Sequence, residues 1–320
     1  MNKNRLIFLL ATAGLGGCAT HPLPENYSGV NTVDIVRKIR CEARSAIAER
    51  AIMFLMRDDA PAKTYKIGEA LKKGNLSFKN VNYYDLDMKT AEYVKKYDNS
   101  AIAYQFTFNI KENNDINVGL DLLKPLTGGS IGLGISSSNN RERSNIRSFT
   151  IVEEFKKLLD SMSDNDCFNV SSGVNVMYPI TGSVGLSEVI NTFIDLNEMK
   201  VLVDKENKDK IPEMAETLNF KTVLSISANP KLDLTTAGRK WQTDLAHVEA
   251  KATRTDDHTV QIGLSLPPDK SPSAPRGRDG VAKSTKSAKY RAVQAILNQK
   301  DDRRNANDIR VKEFLGLPTY

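Results

Sequence analysis

The sequence predicts an α+β fold: antiparallel β-sheets in two β-rich halves, with N-terminal and interspersed helices. Three observations predict it. Apolar residues recur at helical spacing through the first hundred residues, and they alternate with polar ones in several later segments. The links between successive strands are too short for crossovers, which forces antiparallel pairing. With 320 residues, 40% hydrophobic and 26% charged, the chain can build a packed core of one or two domains. No apolar run after Leu15 approaches the ~18 residues that a membrane-spanning helix requires.

Residues 1–17 read as a signal peptide. Lys3 and Arg5 give a positive start, Leu6 to Leu15 an apolar stretch too short to span, and small residues lead to Cys18. The run Leu15-Gly16-Gly17-Cys18 resembles the lipobox of bacterial lipoproteins. That resemblance implies cleavage between Gly17 and Cys18, a thioether from Cys18 to diacylglycerol, and acylation of the new amine. Several acyl chains on one residue make a stable anchor, whereas a single chain holds a protein only reversibly. Ala19, standing where an aspartate would retain the protein, implies sorting to an outer membrane, facing the periplasm. The plain alternative is an ordinary secretory signal with a chance cysteine.

Export places Cys41 and Cys167 in an oxidising compartment, where a disulfide between them and a pair of buried thiols are both open to the chain. The bond would close a long loop and stabilise by roughly 4 kcal/mol in the chain-entropy model.

Residues 18–31 form a lipidated tether containing Pro22, Pro24 and Gly29. A helical region follows over 32–97. Thr32 can cap a first helix on Val36, Ile39, Ala43, Ile47, Ala51 and Phe54, ending near the Asp58-Asp59-Ala60-Pro61 break. A second spans Lys63 to Lys73 before Gly74, and a third Met88 to Lys96 behind Asp87.

The sheet body is expected over 98–266, in halves of about 98–200 and 211–266. In the first, Ile102, Tyr104, Phe106, Phe108 and Ile110 share one face of a strand. Asn113-Asn114 is read as a turn into a strand on Ile116, Val118, Leu120 and Leu122. "TGGS" then turns into one on Ile131, Leu133 and Ile135. A polar turn at Ser137 to Arg141 precedes "NIRSF", and Thr150 with Glu153 forms a capping box for a helix on Val152, Phe155, Leu158, Leu159 and Met162. Next come a strand near Val174 to Tyr178, a turn at Pro179 to Gly182, a helix from Ser187 to Asn197 and a charged connector, Asp204 to Asp209. In the second half, strands flank Asn229-Pro230, and a longer pair, Trp241 to Arg254 and Thr259 to Leu266, flanks "TDDH". Two sheets are expected, packed together or each covered by helices.

The tail, 267–320, carries 12 Lys and Arg against 6 Asp and Glu. Pro267 to Gly280 reads as a linker and Lys286 to Gln299 as a helix with Tyr290, Val293 and Leu297 on one side. Such a tail suits anionic lipid, cell-wall polymer or an acidic envelope protein. Nucleic acid is not expected of an exported chain, and a solvated linker with a loosely docked helix explains the composition equally well.

Signals for catalysis are sparse. His21 falls in the tether, His247 in a strand and His258 in a turn, none with metal-ligand spacing. No G-x-S-x-G elbow is present, and Cys167 with His247 as nucleophile and base is less simple than a disulfide or burial. "GGSIGLGIS" lacks the following helix and the Gly-Lys-Ser/Thr of a phosphate loop; its alternate glycines read as a strand face open to close approach. Alternating segments are also the signature of an outer-membrane barrel, but the interrupting polar and helical stretches favour a soluble sheet. The expectation is therefore a non-catalytic envelope lipoprotein without cofactor or metal, with a binding or scaffold role. A lipid or small-ligand carrier with a cavity between the sheets is second, and an envelope hydrolase third.

Overall fold

The computed structural model describes residues 21–126, 129–162, 166–167, 175–202, 211–233, 242–267 and 287–314. Gly17 and Cys18, the connector at Asp204 to Asp209, all but the first residue of the Pro267 to Gly280 linker and the start of the strand expected at Val174 lie outside the described residues. The elements run α1 (Glu25–Ser28), α2 (Thr32–Leu55), α3 (Ala62–Lys72), α4 (Met88–Asp98), β1 (Ala101–Leu126), β2 (Gly129–Glu154), α5 (Phe155–Ser161), α6 (Leu186–Glu198), β3 (Glu213–Ala228), β4 (Lys231–Asp233), β5 (Gln242–Ser265) and α7 (Ala288–Phe314).

The fold is α+β with antiparallel strands. The two β-rich halves join in one five-stranded sheet rather than two, in the order β2-β1-β5-β3, with β4 also paired to β5. The three expected turns at Asn113-Asn114, Ser137 to Arg141 and "TDDH" are absent: β1, β2 and β5 run straight through them. The reason lies in the phase of the alternation. Ile102 to Ile110 and Ile116 to Leu122 fall on positions of the same parity, and Ala246 to Ala252 match Val260 to Leu264 in the same way. A strand keeps its faces only while the period of two is unbroken. The capping box likewise fails, because Thr150 to Glu154 complete β2 and α5 begins at Phe155. Residues 176–178 are bends, not a strand.

The chain divides into two compact units, each drawing on all four long strands: a body of Ser28–Phe108, Ile146–Thr222 and Asp256–Tyr320, and a hairpin unit of Met1–Tyr27, Asn109–Asn145 and Val223–Thr255.

In the body, α2, α5 and α6 cover one face of the sheet. Ile35, Ile39 and Ile47 of α2 and Leu186, Ile190 and Phe193 of α6 bury against Ile102, Tyr104, Phe106 and Phe108 of β1 and Val260, Ile262 and Leu264 of β5. Asn31, rather than Thr32, caps α2, its side chain accepting the Asp34 N–H at 2.8 Å.

Glu42 of α2 ties in the start of α6. Its carboxylate accepts the backbone N–H groups of Val184 (2.9 Å), Gly185 (2.7 Å) and Leu186 (2.8 Å) and the Ser183 hydroxyl (3.1 Å). The Leu186 N–H is a donor that a helix leaves unpaired at its first turn, and the other three lie in the segment that leads into it through the N-cap Gly185. Glu42→Ala is therefore expected to lower the stability of the body by about 2 kcal/mol, read as a shifted urea midpoint.

Asp87 organises the α3–α4 corner. It caps α4 through the Thr90 N–H (3.2 Å) and accepts from the hydroxyls of Thr90 (2.6 Å) and Thr64 (3.1 Å) and from Arg57 (2.9 Å). Burial opposes ionisation here, but the bonds from Thr90, Arg57 and Thr64 outweigh it and hold the carboxyl well below the usual carboxylate range. A depressed folded value means that the unfolded chain binds the proton more readily. The contribution is complete above about pH 4 and is lost as the pH falls through the folded value. Asp87→Asn should accordingly flatten the fall of the urea midpoint below about pH 4.

The opposite face of the body is covered by α7. Ala288, Ala292 and Ile296 pack on Ala101 and Ala103 of β1, Thr217 donates to Gln299 (2.8 Å), and Lys300 reaches Gln105 (2.8 Å). The first half of the basic tail's helix is thus docked. Small strand residues permit the approach: a Cβ on Gly263 would stand 1.9 Å from the Ala292 carbonyl oxygen. Gly263→Ala must part helix from strand, at about 3 kcal/mol. Gly132→Ala meets nothing within 4 Å and should leave the thermal transition in place, so the pair separates packing from strand propensity.

Candidate functional site

The hairpin unit is built from two long β-hairpins, and its chemistry differs between faces. On one, β1 contributes Ile116, Val118, Leu120 and Leu122, β2 contributes Ile131, Leu133 and Ile135, β3 contributes Leu224 and Ile226, and β5 contributes Val248 with Ala250 and Ala252. Seven of these, Ile116, Val118, Ile131, Leu133, Ile135, Ile226 and Val248, are between 41% and 74% exposed. On the other face stand Asn117, Gly119 and Asp121 of β1, Gly132, Gly134, Ser136 and Ser138 of β2, Ser225 and Ser227 of β3 with the exposed Val223, and Glu249, Lys251 and Thr253 of β5.

Two contacts fix this assignment of faces. A Cβ on Gly134 would lie 3.0 Å from Asp121 Oδ1, so the even positions of β2 share a side with the odd positions of β1. Lys111 pairs with Glu142 at 2.9 Å with the same parity. On the apolar side, Glu112 of β1 holds Arg143 of β2 (2.6 Å) and Arg254 of β5 (3.0 Å). The apolar stripe therefore stops at a charged row, with Glu112 and Arg254 only 14% and 11% exposed.

The N-terminal segment is pinned to that row. Arg254 donates to the Leu23 carbonyl (2.8 Å), and Asn145 to the Pro22 carbonyl (3.0 Å). Pro22 and Pro24 are buried. The tether predicted from its prolines is thus packed where it enters the described residues.

The residues singled out from the sequence are dispersed. Cys41 and Cys167 are joined as a disulfide, with Cα atoms 5.7 Å apart. A bonded sulfur is no nucleophile, which removes the Cys167–His247 pair. His258 lies within β5, not in a turn; it is buried, and Tyr178 Oη stands 2.6 Å from its Nε2 while donating to Asp256 Oδ2 at 2.7 Å. His247 pairs through its backbone with Lys231, and His21 is exposed. Among the described residues no group of three or more His, Cys, Asp or Glu gathers as a metal site, and no helix is long and apolar enough to cross a membrane. Two apolar cavities in the body, lined by Leu55, Leu71 and Val94 and by Ile47, Tyr93 and Phe155, hold about 30 Å³ each, room for little more than a water, whereas an open groove of about 610 Å³ among α2, α3 and α5 is lined in part by Arg44, Glu49, Lys72, Asp160 and Asp166. From the sequence these strands divide at polar residues and the barrel signature is set aside for a soluble sheet; the in-phase parity across those residues is the signal for one continuous amphipathic surface.

An α+β chain with a long-stranded antiparallel sheet is thereby defined. It belongs to the family described as "Uncharacterised protein y4kA", whose model matches residues 21–313. One relative, "Uncharacterized protein y4kA" of Sinorhizobium fredii (strain NBRC 101917 / NGR234), is 30% identical over 295 residues, covering 88% of this chain and 90% of that protein. Among solved structures, the InvG secretin domain β-barrel from the Salmonella SPI-1 injectisome aligns at a TM-score of 0.21 and 6% identity over 67% of this chain and 72% of that one. The Klebsiella pneumoniae type II secretion system outer membrane complex (PulD, PulS and PulC HR domain) aligns at 0.17 and 7% over 70% and 51%. Likeness at this level carries neither fold nor function to this chain.

Proposed function

We propose that the chain is a bacterial envelope lipoprotein, anchored at Cys18 in the outer membrane, that acts without catalysis and inserts its hairpin unit into the bilayer. The observation that carries this reading is the one-sided apolar stripe of the hairpin unit, bounded by the Glu112–Arg143–Arg254 row. A contiguous exposed face of Ile, Leu and Val is rare on proteins that meet only water and marks a surface that something covers.

Ile116 to Leu122 rise about 20 Å along the strand, or about 15 Å along the bilayer normal at the ~40° tilt of barrel strands, so the stripe covers somewhat more than half of the ~25 Å apolar band, and the opposite face is mostly polar as in a barrel lumen. The anchor supports the same placement. Three residues of chain lie between Cys18 and Pro22, a reach of at most about 14 Å, and Pro22 is held by Asn145 beside the charged row. The acylated end can therefore reach the level of the stripe's edge, as it must if both enter one leaflet. The carrier reading asks for an apolar cavity between sheets; the apolar cavities are of water size, and the groove of about 610 Å³ lies among helices with Arg44, Glu49, Lys72, Asp160 and Asp166 in its lining.

The test removes the anchor. A chain beginning at Ala19 behind an ordinary secretion signal is mixed with vesicles of phosphatidylethanolamine and phosphatidylglycerol and floated on a density gradient. The expected result is that most of it rises with the vesicles and stays with them in 1 M salt. A chain that remains at the bottom overturns insertion, leaving Cys18 the sole attachment; intact-mass measurement of the native protein checks the acylation separately.

A further inference from the structure

We infer that copies of this chain join edge to edge, β2 of one to β3 of the next, and close a barrel whose polar face lines a water-filled lumen. The inference rests on the membrane reading above and adds to it the occupant of the sheet edges.

The argument begins with strand number. A bilayer interior offers no water to backbone N–H and C=O groups, so strands cross it only as a closed barrel, and an open sheet edge is not tolerated there. The smallest such barrels have eight strands. Among the described residues the sheet has four long strands, with β2 and β3 outermost. One chain cannot close by itself. At least two copies are needed, and a lumen wide enough for an aqueous channel takes about sixteen strands, or four copies.

The edges themselves are suited to pairing. Soluble proteins blunt an exposed edge with proline, bulges or very short strands. Within the hairpin unit β2 contributes residues 129–145 and β3 residues 223–228, neither with proline; Pro230 then interrupts the outer edge before β4 continues it along β5 in the same register. An even count of antiparallel strands leaves β2 and β3 running in opposite directions. Copies related by rotation about an axis along the bilayer normal therefore continue the antiparallel alternation across each seam. Pairing β2 with β2 about a two-fold axis would turn the second copy over and carry its N-terminus to the other leaflet, which a common lipid anchor at Cys18 forbids. The symmetry is thus head-to-tail and closed.

The lumen would be lined by Asn117, Asp121, Ser136, Ser225, Glu249 and Lys251, with Gly132 and Gly134 leaving room. With the exposed Val223 as an apolar exception, this is the composition of a hydrated passage for polar solutes.

The test uses the full-length lipidated protein purified from membranes in mild detergent. Ser136→Cys in β2 and Ser225→Cys in β3 are exposed and on the polar face. The disulfide between Cys41 and Cys167, with Cys18 acylated, leaves them as the reactive thiols. A flexible bismaleimide should convert the double variant into a ladder of dimer, trimer and higher products, at least tenfold more than either single variant gives. Light scattering of the unmodified protein should give two or more copies per particle, independently of any substitution.

A double variant that stays monomeric, from an unmodified protein that is also one copy per particle but floats without its anchor, overturns edge pairing and leaves the membrane reading standing. Abundant dimers from Ser136→Cys alone overturn the head-to-tail arrangement. A ladder from a protein that does not float without its anchor leaves edge pairing standing and removes the bilayer.

Discussion

Replacing Val118, Leu133 and Ile226 together by lysine is expected to reduce vesicle flotation of the anchor-free chain by about a thousandfold in partition. Lysine on the lipid face of a membrane strand costs about 2–4 kcal/mol at the midplane and about 0–1 near the interface. Three residues at different depths sum to about 4 kcal/mol, and each 1.4 kcal/mol is tenfold. All three are exposed in the hairpin unit, so the body should keep its thermal transition. A triple variant that floats as well as the parent would show that the stripe does not meet lipid.

The second large effect belongs to the disulfide. Cys41 lies in α2, and 126 residues separate it from Cys167. Removing so long a cross-link frees the unfolded chain by about 4–5 kcal/mol in the chain-entropy model. Changing both cysteines to alanine is expected to lower the urea midpoint of the body accordingly. Dithiothreitol should bring the parent to the same midpoint and leave the variant unmoved. A midpoint insensitive to reductant in the parent would mean that the bond carries no stability.

What the sequence made legible follows from how local each signal is. The helices at 63–73, 88–96 and 187–197 were readable to within a residue or two because caps and breakers sit beside them. Asp87 bonds the Thr90 N–H, Gly74 takes a left-handed φ of +71°, and the spacing of Val189, Ile190 and Phe193 places the buried face of α6. The long strands were misdivided because polar residues within an apolar alternation look like turns. Asp256 and His258 are buried and both meet Tyr178, a partner some eighty residues away. Glu112 is held by Arg143 and Arg254, from two other strands. Such compensation is tertiary and leaves no local mark. The joining of the two halves into one sheet escaped for the same reason, since it depends on β1 meeting β5. The amphipathic surface, by contrast, was latent in the parity of the apolar positions and became visible once the strands were seen to be unbroken.

Under the proposed export, the neighbouring of β1 and β5 at the centre of the sheet also bears on how the chain matures. A translocated chain emerges N-terminus first. Cys41, the whole of the β1–β2 hairpin and Cys167 are all outside before β3 begins at Glu213. Oxidation can therefore lock α2 and the first hairpin into a covalent loop while β1 still lacks its inner neighbour. Until β5 is delivered, the most buried strand of the body presents a bare edge to every other chain around it. Pairings of such long sequence separation form slowly, and unpaired strands invite association during the wait. The order of synthesis thus makes the second hairpin the step on which productive assembly turns, and a holding chaperone has most to protect in the interval before β5 arrives.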